Sequence, residues 1–148
     1  MKNTKSLFVL VFILLNIQFG YSQFDDYKTT IGFTCGGTGS STPLVNKVYD
    51  LIINNKQNSI RRLLYSKIPA KNFLGVVICE KFSRENKIKL RVKDLKKISE
   101  LYKSLNRFEY CGGCTEMGYL VLSECLNRIG TEKIRDEAEQ WVDEISKI

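Results

Sequence analysis

Five cysteines are the residues whose type and spacing could perform chemistry, and they stand in a chain of 148 residues that contains no histidine. Two of them form the motif Cys111-Gly112-Gly113-Cys114, and Cys35 also precedes a pair of glycines. A Cys-x-x-Cys pair can exchange disulfides or supply one side of a zinc site. The lack of histidine removes the commonest general base and the commonest metal ligand. The chemistry that the sequence offers is therefore thiol chemistry.

The first interpretation of the cysteines is structural. Cys79 lies in the most apolar stretch of the chain, and because five is an odd number we expect it to be the unpaired thiol. The other four are disulfide candidates with three possible pairings: Cys35, Cys111, Cys114 and Cys125. A bond from Cys35 to the Cys111–Cys114 turn would close a loop of about 75 residues. In the chain-entropy model such a loop stabilises a fold by roughly 4 kcal/mol.

The alternative interpretation is redox chemistry. The first thiol of a Cys-x-x-Cys motif at a helix start has a lowered pKa, and its thiolate is the attacking species. We expect a helix after the motif, so that Cys111 would be the nucleophile and Cys114 the resolving thiol. Thioredoxin-like proteins, however, place this motif after a β-strand and face it with a downstream proline. Here both prolines, Pro43 and Pro69, lie upstream, so a structural role is preferred. No metal site is expected, because zinc needs a second close cysteine pair.

The N-terminus has the three parts of a secretory signal. A cationic start precedes an apolar run from Leu7 to Leu15, and the small residues Gly20 and Ser22 stand where a signal peptidase reads the chain. The apolar run is about half as long as the roughly 20 residues that a membrane-spanning helix needs. We therefore expect residues 1–22 to be a cleaved signal peptide. This predicts a secreted protein, periplasmic or extracellular, with no transmembrane segment after cleavage.

Size and charge restrict the possible partners. About 126 residues follow the expected signal, enough for one domain with its own core. The whole chain has 23 basic and 16 acidic residues, and the signal contains two of the lysines and no acid, which leaves a net charge of about +5. A basic surface favours anionic partners. We expect another protein or an anionic surface as the partner, and secretion argues against nucleic acid.

Basic residues are concentrated in one segment, whereas acidic residues are concentrated near the C-terminus. This segment is either a basic face for an acidic partner or an ordinary solvated surface. The candidate partner-binding residues are Lys87, Lys89, Arg91, Lys93, Lys96, Lys97 and Lys103. Tyrosines near the cysteine turns are a second candidate patch, although packing in turns explains them equally well: Tyr27, Tyr110 and Tyr119.

Hydrophobic periodicity predicts an all-α fold of about six helices. Residues 23–42 are expected to form an irregular arm rich in Gly, Ser and Cys. Thr42 followed by Pro43 is typical of a helix start. The apolar stretch from Pro69 to Phe82 predicts a central helix, in which Gly75 lets a neighbouring helix approach closely. Residues 43–148 are accordingly predicted to be a single all-helical domain, either a small bundle or a short solenoid.

The later helices are predicted from their caps and apolar stripes. Lys87 to Val92 alternates charged and apolar residues, which indicates a short extended connector, and Asp94 is the expected cap of a fourth helix. A fifth helix is expected directly after the Cys111–Cys114 turn. Its inward residues would be Val121, Leu122, Cys125 and Ile129, and Gly130 would end it. Thr131 is the expected cap of a sixth helix, whose acidic face would be solvated.

The stretch from Ser59 to Phe82 resembles HEAT-type or armadillo-type repeat sequence, and the resemblance covers roughly residues 43–105. In these families a proline or polar turn leads into a buried helix of Leu, Ala, Gly and Val character, as Pro69 does here. The resemblance implies stacked helix pairs with a surface for binding another macromolecule, and it names no catalytic residue.

These patterns contain no complete catalytic constellation and no cofactor motif, so no cofactor is expected. They predict a secreted, non-catalytic helical binding module. The alternative function is an extracytoplasmic thiol–disulfide protein that uses Cys111 and Cys114.

Overall fold

The computed structural model of the chain describes residues 28–37, 39–113, 116–130 and 133–147. The expected signal peptide, Tyr27, Cys114 and Thr131 lie outside the described residues. Six helices and one two-stranded sheet are present in the described ranges. In chain order they are α1 (Pro43–Ile53), α2 (Gln57–Leu63), α3 (Pro69–Arg84), α4 (Val92–Leu101), β1 (Arg107–Gly112), β2 (Glu116–Val121), α5 (Leu122–Asn127) and α6 (Ile134–Ile145).

The first helix, α1, begins where the sequence predicts. Thr42 is the N-cap residue, in extended conformation, and Pro43 is the first helical residue. The hydroxyl of the buried Thr42 donates to the carbonyl of Thr30, 2.8 Å away. This bond fastens the start of α1 to the N-terminal arm. Leu44 and Val48, on the apolar side of the helix, are buried in the core.

The central helix is α3, as its almost entirely apolar sequence predicts. Every residue from Asn72 to Cys79 is buried. At Gly75 the end of α2 approaches so closely that an added Cβ would lie 2.8 Å from the Cβ of Leu63. The side-chain amide of Asn72 lies 3.0 Å from the carbonyl oxygens of Leu63, Leu64 and Ser66. It thereby supplies donors to carbonyls that the end of α2 leaves without helical partners.

The prediction of a purely helical fold is wrong for residues 107–121, which form a hairpin. β1 pairs antiparallel with β2 in a register that runs from Arg107↔Val121 to Gly112↔Glu116. The physical reason is a period of two in β1, where Phe108 and Tyr110 alternate with charged residues. Phe108 is buried and stacks on Phe73 of α3, with ring centroids 5.2 Å apart. The expected fifth helix is therefore limited to the six residues of α5.

The described part of the N-terminal arm is irregular, as predicted, yet it is fastened to the hairpin. Ile31 is fully buried and pairs in parallel with Tyr110. The N–H of Ile31 donates to the carbonyl of Glu109 at 3.0 Å, and the N–H of Cys111 donates to the carbonyl of Ile31 at 2.8 Å. Trp141 of α6 packs against Phe33 of the arm, with ring centroids 5.2 Å apart. The arm thus covers the side of β1 that faces away from β2.

The fourth helix starts slightly differently from the prediction. Arg91 is the N-cap residue, and Asp94 is the third helical residue, whose carboxylate accepts the backbone N–H of Arg91 at 3.0 Å. The connector before it is irregular and not a strand; Ile88 is buried as its alternation indicates, whereas Val92 is exposed. Within the part of the chain that the structure describes, no helix has both the length and the apolar character to cross a bilayer.

Candidate partner-binding site

The cysteines fasten the arm to the hairpin. Cys35 and Cys111 form a disulfide, with their Cα atoms 5.5 Å apart and a sequence separation of 76. This bond is one of the pairings that the sequence left open. Cys79 is a free thiol in the core, where burial raises its pKa to about 12, so it is not a reactive nucleophile. Cys125 is buried on α5, and Cys114 lies outside the described residues.

The surroundings of Cys111 differ from those expected of a redox nucleophile. The residue is buried within β1, and its sulfur is bonded to Cys35. The segment that follows the turn is β2, so the expected helix N-terminus that would lower a thiol pKa does not follow the motif. Among the residues with described positions, no group of three or more Cys, Asp or Glu side chains is arranged to hold a metal ion.

The seven basic residues that the sequence singled out lie on α4, on the connector before it and just after its end. We call them the α4 surface. Three of them are paired with carboxylates 2.8 to 3.6 Å away: Lys87, Arg91 and Lys97. The other four are exposed: Lys89, Lys93, Lys96 and Lys103. Part of the positive charge of this surface is therefore neutralised within the protein, and partner binding there stays a prediction.

A different set of cations lines two adjoining concavities of about 620 and 330 Å³, which share Thr29 and Ile68. We call the two together the basic groove. Its cations come from the arm, α1, the start of α3 and β1: Lys28, Lys47, Lys67, Lys71 and Arg107. Its apolar lining comes from the same elements: Pro43 is exposed and Ile68 is half-buried, whereas Leu44 and Phe108 are buried core residues. The fold thus gathers cations that are far apart in sequence around one apolar surface.

Four cations of the basic groove are not compensated within the described chain. No carboxylate in the described ranges lies within 4.0 Å of the charged groups of Lys47, Lys67, Lys71 or Arg107. Glu109 also lines the groove, and its carboxylate accepts a hydrogen bond from the hydroxyl of Thr30. Cations therefore outnumber carboxylates among the residues that line the groove.

The N-terminus of α3 adds to this potential. The helix has 16 residues, its N-cap Ile68 supplies no capping side chain, and its first turn contains no acidic residue. The positive end of the helix dipole therefore lies at the groove, where Lys67 and Lys71 also stand. Basic residues at this end of a helix are unfavourable by about 0.3–1 kcal/mol each. An anion bound in the groove would offset that cost.

The outer face of the hairpin borders the basic groove. Residues directly opposite each other in an antiparallel pair share a face, and Tyr119 stands opposite Glu109. Tyr119 lines the groove with 71% of its surface exposed, and Met117 on the same face is 54% exposed. Tyr110, in contrast, is half-buried, and its hydroxyl donates to Glu137 at 2.9 Å. Of the tyrosines that the sequence indicated, Tyr119 is the one beside the cations.

Sequence reasoning did not select the cations of the basic groove as a set. Lys47, Lys67 and Arg107 are 20 to 60 residues apart, and nothing in their local sequence indicates that they meet. One feature of the sequence does indicate part of this set: Lys67 and Lys71 flank Pro69 at a predicted helix start. That is where the helix dipole disfavours basic residues.

No protein-family model matches the chain, and no curated protein and no solved structure matches it. The functional assignment therefore rests on the basic groove and the hairpin face beside it.

Proposed function

We propose that this protein is a non-catalytic binding module that captures an acidic protein partner through the basic groove. The observation that carries the proposal is the set of four cations with no carboxylate partner in the described chain: Lys47, Lys67, Lys71 and Arg107. They surround an apolar lining, and an exposed tyrosine stands at its edge. Of the residues here, Tyr119 and Arg107 are of the types that protein interfaces favour.

Charge and shape support a protein partner together. A concave surface with an excess of one sign of charge raises the local concentration of an oppositely charged partner and speeds its association. The accessible apolar surface of Pro43, Ile68 and Tyr119 then offers area that binding can remove from water. The resemblance of residues 43–105 to HEAT-type repeats, which implies a surface for another macromolecule, agrees with this proposal.

We place this function outside the cytosol. The disulfide between Cys35 and Cys111 is compatible with an oxidising compartment. The expected signal peptide at residues 1–22 also favours a secreted protein, periplasmic or extracellular. The alternative thiol–disulfide function has weaker support, since the sulfur of Cys111 is bonded to Cys35 in a buried strand.

Matched charge reversals test the proposal. We expect Lys67→Glu/Lys71→Glu to weaken binding of a fluorescent polyglutamate peptide by about tenfold or more, a loss of about 1.4 kcal/mol or more. The control Lys93→Glu/Lys96→Glu makes the same change in net charge on the α4 surface, where both lysines are exposed. We expect this control to change the dissociation constant by less than about twofold. Fluorescence anisotropy at low ionic strength measures both.

Thermal unfolding separates lost binding from lost folding. Reversal at Lys67 and Lys71 places acids at the positive end of α3, so the melting temperature should be no lower than that of the unaltered protein. Equal weakening by both double variants would show that net charge alone drives binding. Greater weakening by the control would assign binding to the α4 surface, and either result would refute the groove.

A further inference from the structure

The hairpin has one edge that the rest of the described chain leaves unpaired. The hydrogen bonds between the N-terminal arm and β1 show to which side the backbone N–H and C=O groups of each β1 residue point. The carbonyl of Glu109 accepts a hydrogen bond from the N–H of Ile31, and the N–H of Cys111 donates to the carbonyl of Ile31. Since the N–H and C=O of one strand residue point to the same side, odd-numbered residues of β1 face the arm and even-numbered residues face β2.

The register then fixes which groups of β2 point outward. Tyr110 stands opposite Gly118, so Gly118 exchanges backbone bonds with β1. Its neighbours Met117 and Tyr119 stand opposite residues that face the arm, and their N–H and C=O groups therefore point away from the sheet. The bond from the N–H of Leu122 to the carbonyl of Asn106, 2.9 Å long, continues the same even-numbered ladder.

Nothing in the described chain covers this edge. No backbone bond beyond the β1 ladder involves Met117 or Tyr119 in the ranges that the structure describes. The first four residues of β2 are all exposed. An exposed edge strand is a template for pairing with another chain, and proteins usually block such edges with charge, proline or a bulge. β2 contains no proline, and its one charged residue, Glu116, stands at its end.

The charges beside the edge identify the kind of chain that would pair with it. Tyr119 and the cations Lys67 and Arg107 line the same part of the basic groove. A strand added beside β2 would place alternate side chains on the outer face that Tyr119 and Arg107 share. Acidic residues at those positions would share this face with Lys67 and Arg107, which outnumber Glu109, the carboxylate that also lines this part of the groove. A second copy of this chain would instead bring Met117 and Tyr119 against themselves, and Glu116, the one acid of its β2, alternates to the face opposite that of Tyr119.

We infer that β2 accepts an extended acidic segment of a partner protein as an added strand, held by the outward N–H and C=O groups of Met117 and Tyr119. This inference rests on the proposed function, since the same cations attract the segment. Main-chain bonds would supply affinity and the acidic side chains would supply specificity, as in other cases of strand addition.

Amide hydrogen exchange measured by NMR tests the inference at single residues. The probe is a hexapeptide of alternating glutamate and valine. In the complex we expect the N–H groups of Met117 and Tyr119 to exchange at least about tenfold more slowly than in the free protein. The N–H of Gly118 is already bonded to β1 and serves as the internal control. Unchanged exchange at Met117 and Tyr119 under saturating peptide would overturn strand addition.

Backbone-methylated peptides distinguish strand addition from attraction by charge alone. One peptide is methylated on its glutamate nitrogens and another on its valine nitrogens, so all three probes carry the same charge. Strand addition requires one methylated peptide to bind about tenfold more weakly than the other, because only one set of N–H groups faces β2.

Equal affinities that Lys67→Glu/Lys71→Glu still weakens would overturn strand addition while leaving the groove proposal intact. If none of the three hexapeptides bound while polyglutamate still did, strand addition would likewise be overturned and the groove proposal would stand. Loss of polyglutamate binding as well would refute both proposals. A dimer of the free protein that Tyr119→Pro abolishes and Tyr119→Ala retains would assign the edge to a second copy instead.

Discussion

Asp94 is a fully buried carboxylate that accepts hydrogen bonds from two neighbouring side chains. The Nε of Arg91 donates to it at 3.0 Å and the hydroxyl of Tyr65 at 2.7 Å. Burial alone would raise the pKa of Asp94, but these bonds and the backbone N–H of Arg91 outweigh it and hold the pKa well below its usual range. For Tyr65, burial and the bond to Asp94 raise the pKa to about 12. The carboxylate is therefore charged throughout the neutral range and orients the start of α4.

The variant Asp94→Asn should lose stability in a pH-dependent way. Because the folded pKa lies below the unfolded value of about 3.9, the charged carboxylate stabilises the fold above that value. This contribution falls away as pH drops toward the folded pKa. We expect the variant to be about 2 kcal/mol less stable at pH 7, and the deficit to shrink below about pH 4. Urea unfolding across this range measures it.

Asp50 offers a matched control because it is an exposed residue of α1. Asp50→Asn should change the free energy of unfolding by less than about 0.5 kcal/mol at either pH. A deficit for Asp94→Asn that stays constant from pH 7 to pH 3 would contradict the role given to the charged form of Asp94.

Arg135 is a second buried charge, and it joins three helices. Its guanidinium donates to Glu80 of α3 at 2.6 Å and to the hydroxyl of Tyr102, at the end of α4, also at 2.6 Å. It also reaches Glu139 one turn further along α6 at 3.1 Å. A buried arginine with these partners explains a polar cluster inside the fold without assigning it a ligand. The sequence interpretation of α6 as a helix with one solvated acidic face did not foresee it.

At the scale of elements, the contact between α2 and α3 depends on Gly75. An alanine there would gain about 1 kcal/mol in helix propensity, but its Cβ would lie 2.8 Å from the Cβ of Leu63 and 3.0 Å from the backbone nitrogen of Leu64. Overpacking of this kind costs about 1–3 kcal/mol. Because the backbone of α2 cannot move aside as a flexible side chain would, the cost exceeds the gain, and we expect Gly75→Ala to lower the free energy of unfolding by about 1 kcal/mol. Chemical denaturation measures the change.

Gly118 provides the comparison for this substitution. A Cβ added at Gly118 would meet nothing within 4 Å. We expect Gly118→Ala to change stability by less than about 0.5 kcal/mol. If Gly75→Ala proved more stable than the unaltered protein, the close approach of α2 and α3 would be wrong.

Helices α1 and α3 could be predicted from the sequence more readily than strand β1, because their start signals and apolar patterns are clearer. Pro43 and Pro69 stand at helix starts; the residues after Pro43 have a 3.6-residue apolar period and those after Pro69 are apolar on almost every side, so α1 and α3 were predictable. β1 is short, and the cysteine motif at its end is also typical of a helix start, so its alternation from Arg107 to Gly112 is a weak signal for a strand. The glycines of that motif instead belong to the hairpin, where Gly113 adopts a positive φ of 60°.

The binding site was less predictable than the helices, for a geometrical reason. The basic groove draws single residues from the arm, α1, the start of α3 and β1, and only the packed fold brings them together. The sequence was sufficient to predict that the net charge is positive and that the partner is anionic. It pointed to the α4 surface because contiguous lysines are visible in a sequence, whereas convergent ones are not.

At the scale of the whole molecule, charge is divided between separate regions. The basic groove stands at the start of α3, whereas α6 carries an acidic surface lined by Asp136, Glu139, Asp143 and Glu144. Some of these acids are paired within the protein, as Asp136 and Glu139 are with Arg128 at 3.0 Å. A molecule with this asymmetry is oriented by the field of a charged partner as it approaches.

Lysine acetylation footprinting on the unaltered protein tests most directly whether the basic groove binds an acidic partner. The acetylation rate of each lysine is measured by mass spectrometry with and without saturating polyglutamate peptide. The groove account predicts at least about threefold protection of Lys47, Lys67 and Lys71, because binding would remove their ammonium groups from solvent. It predicts unchanged rates at Lys93 and Lys96. Protection confined to Lys93 and Lys96, or no protection at saturation, would contradict the account.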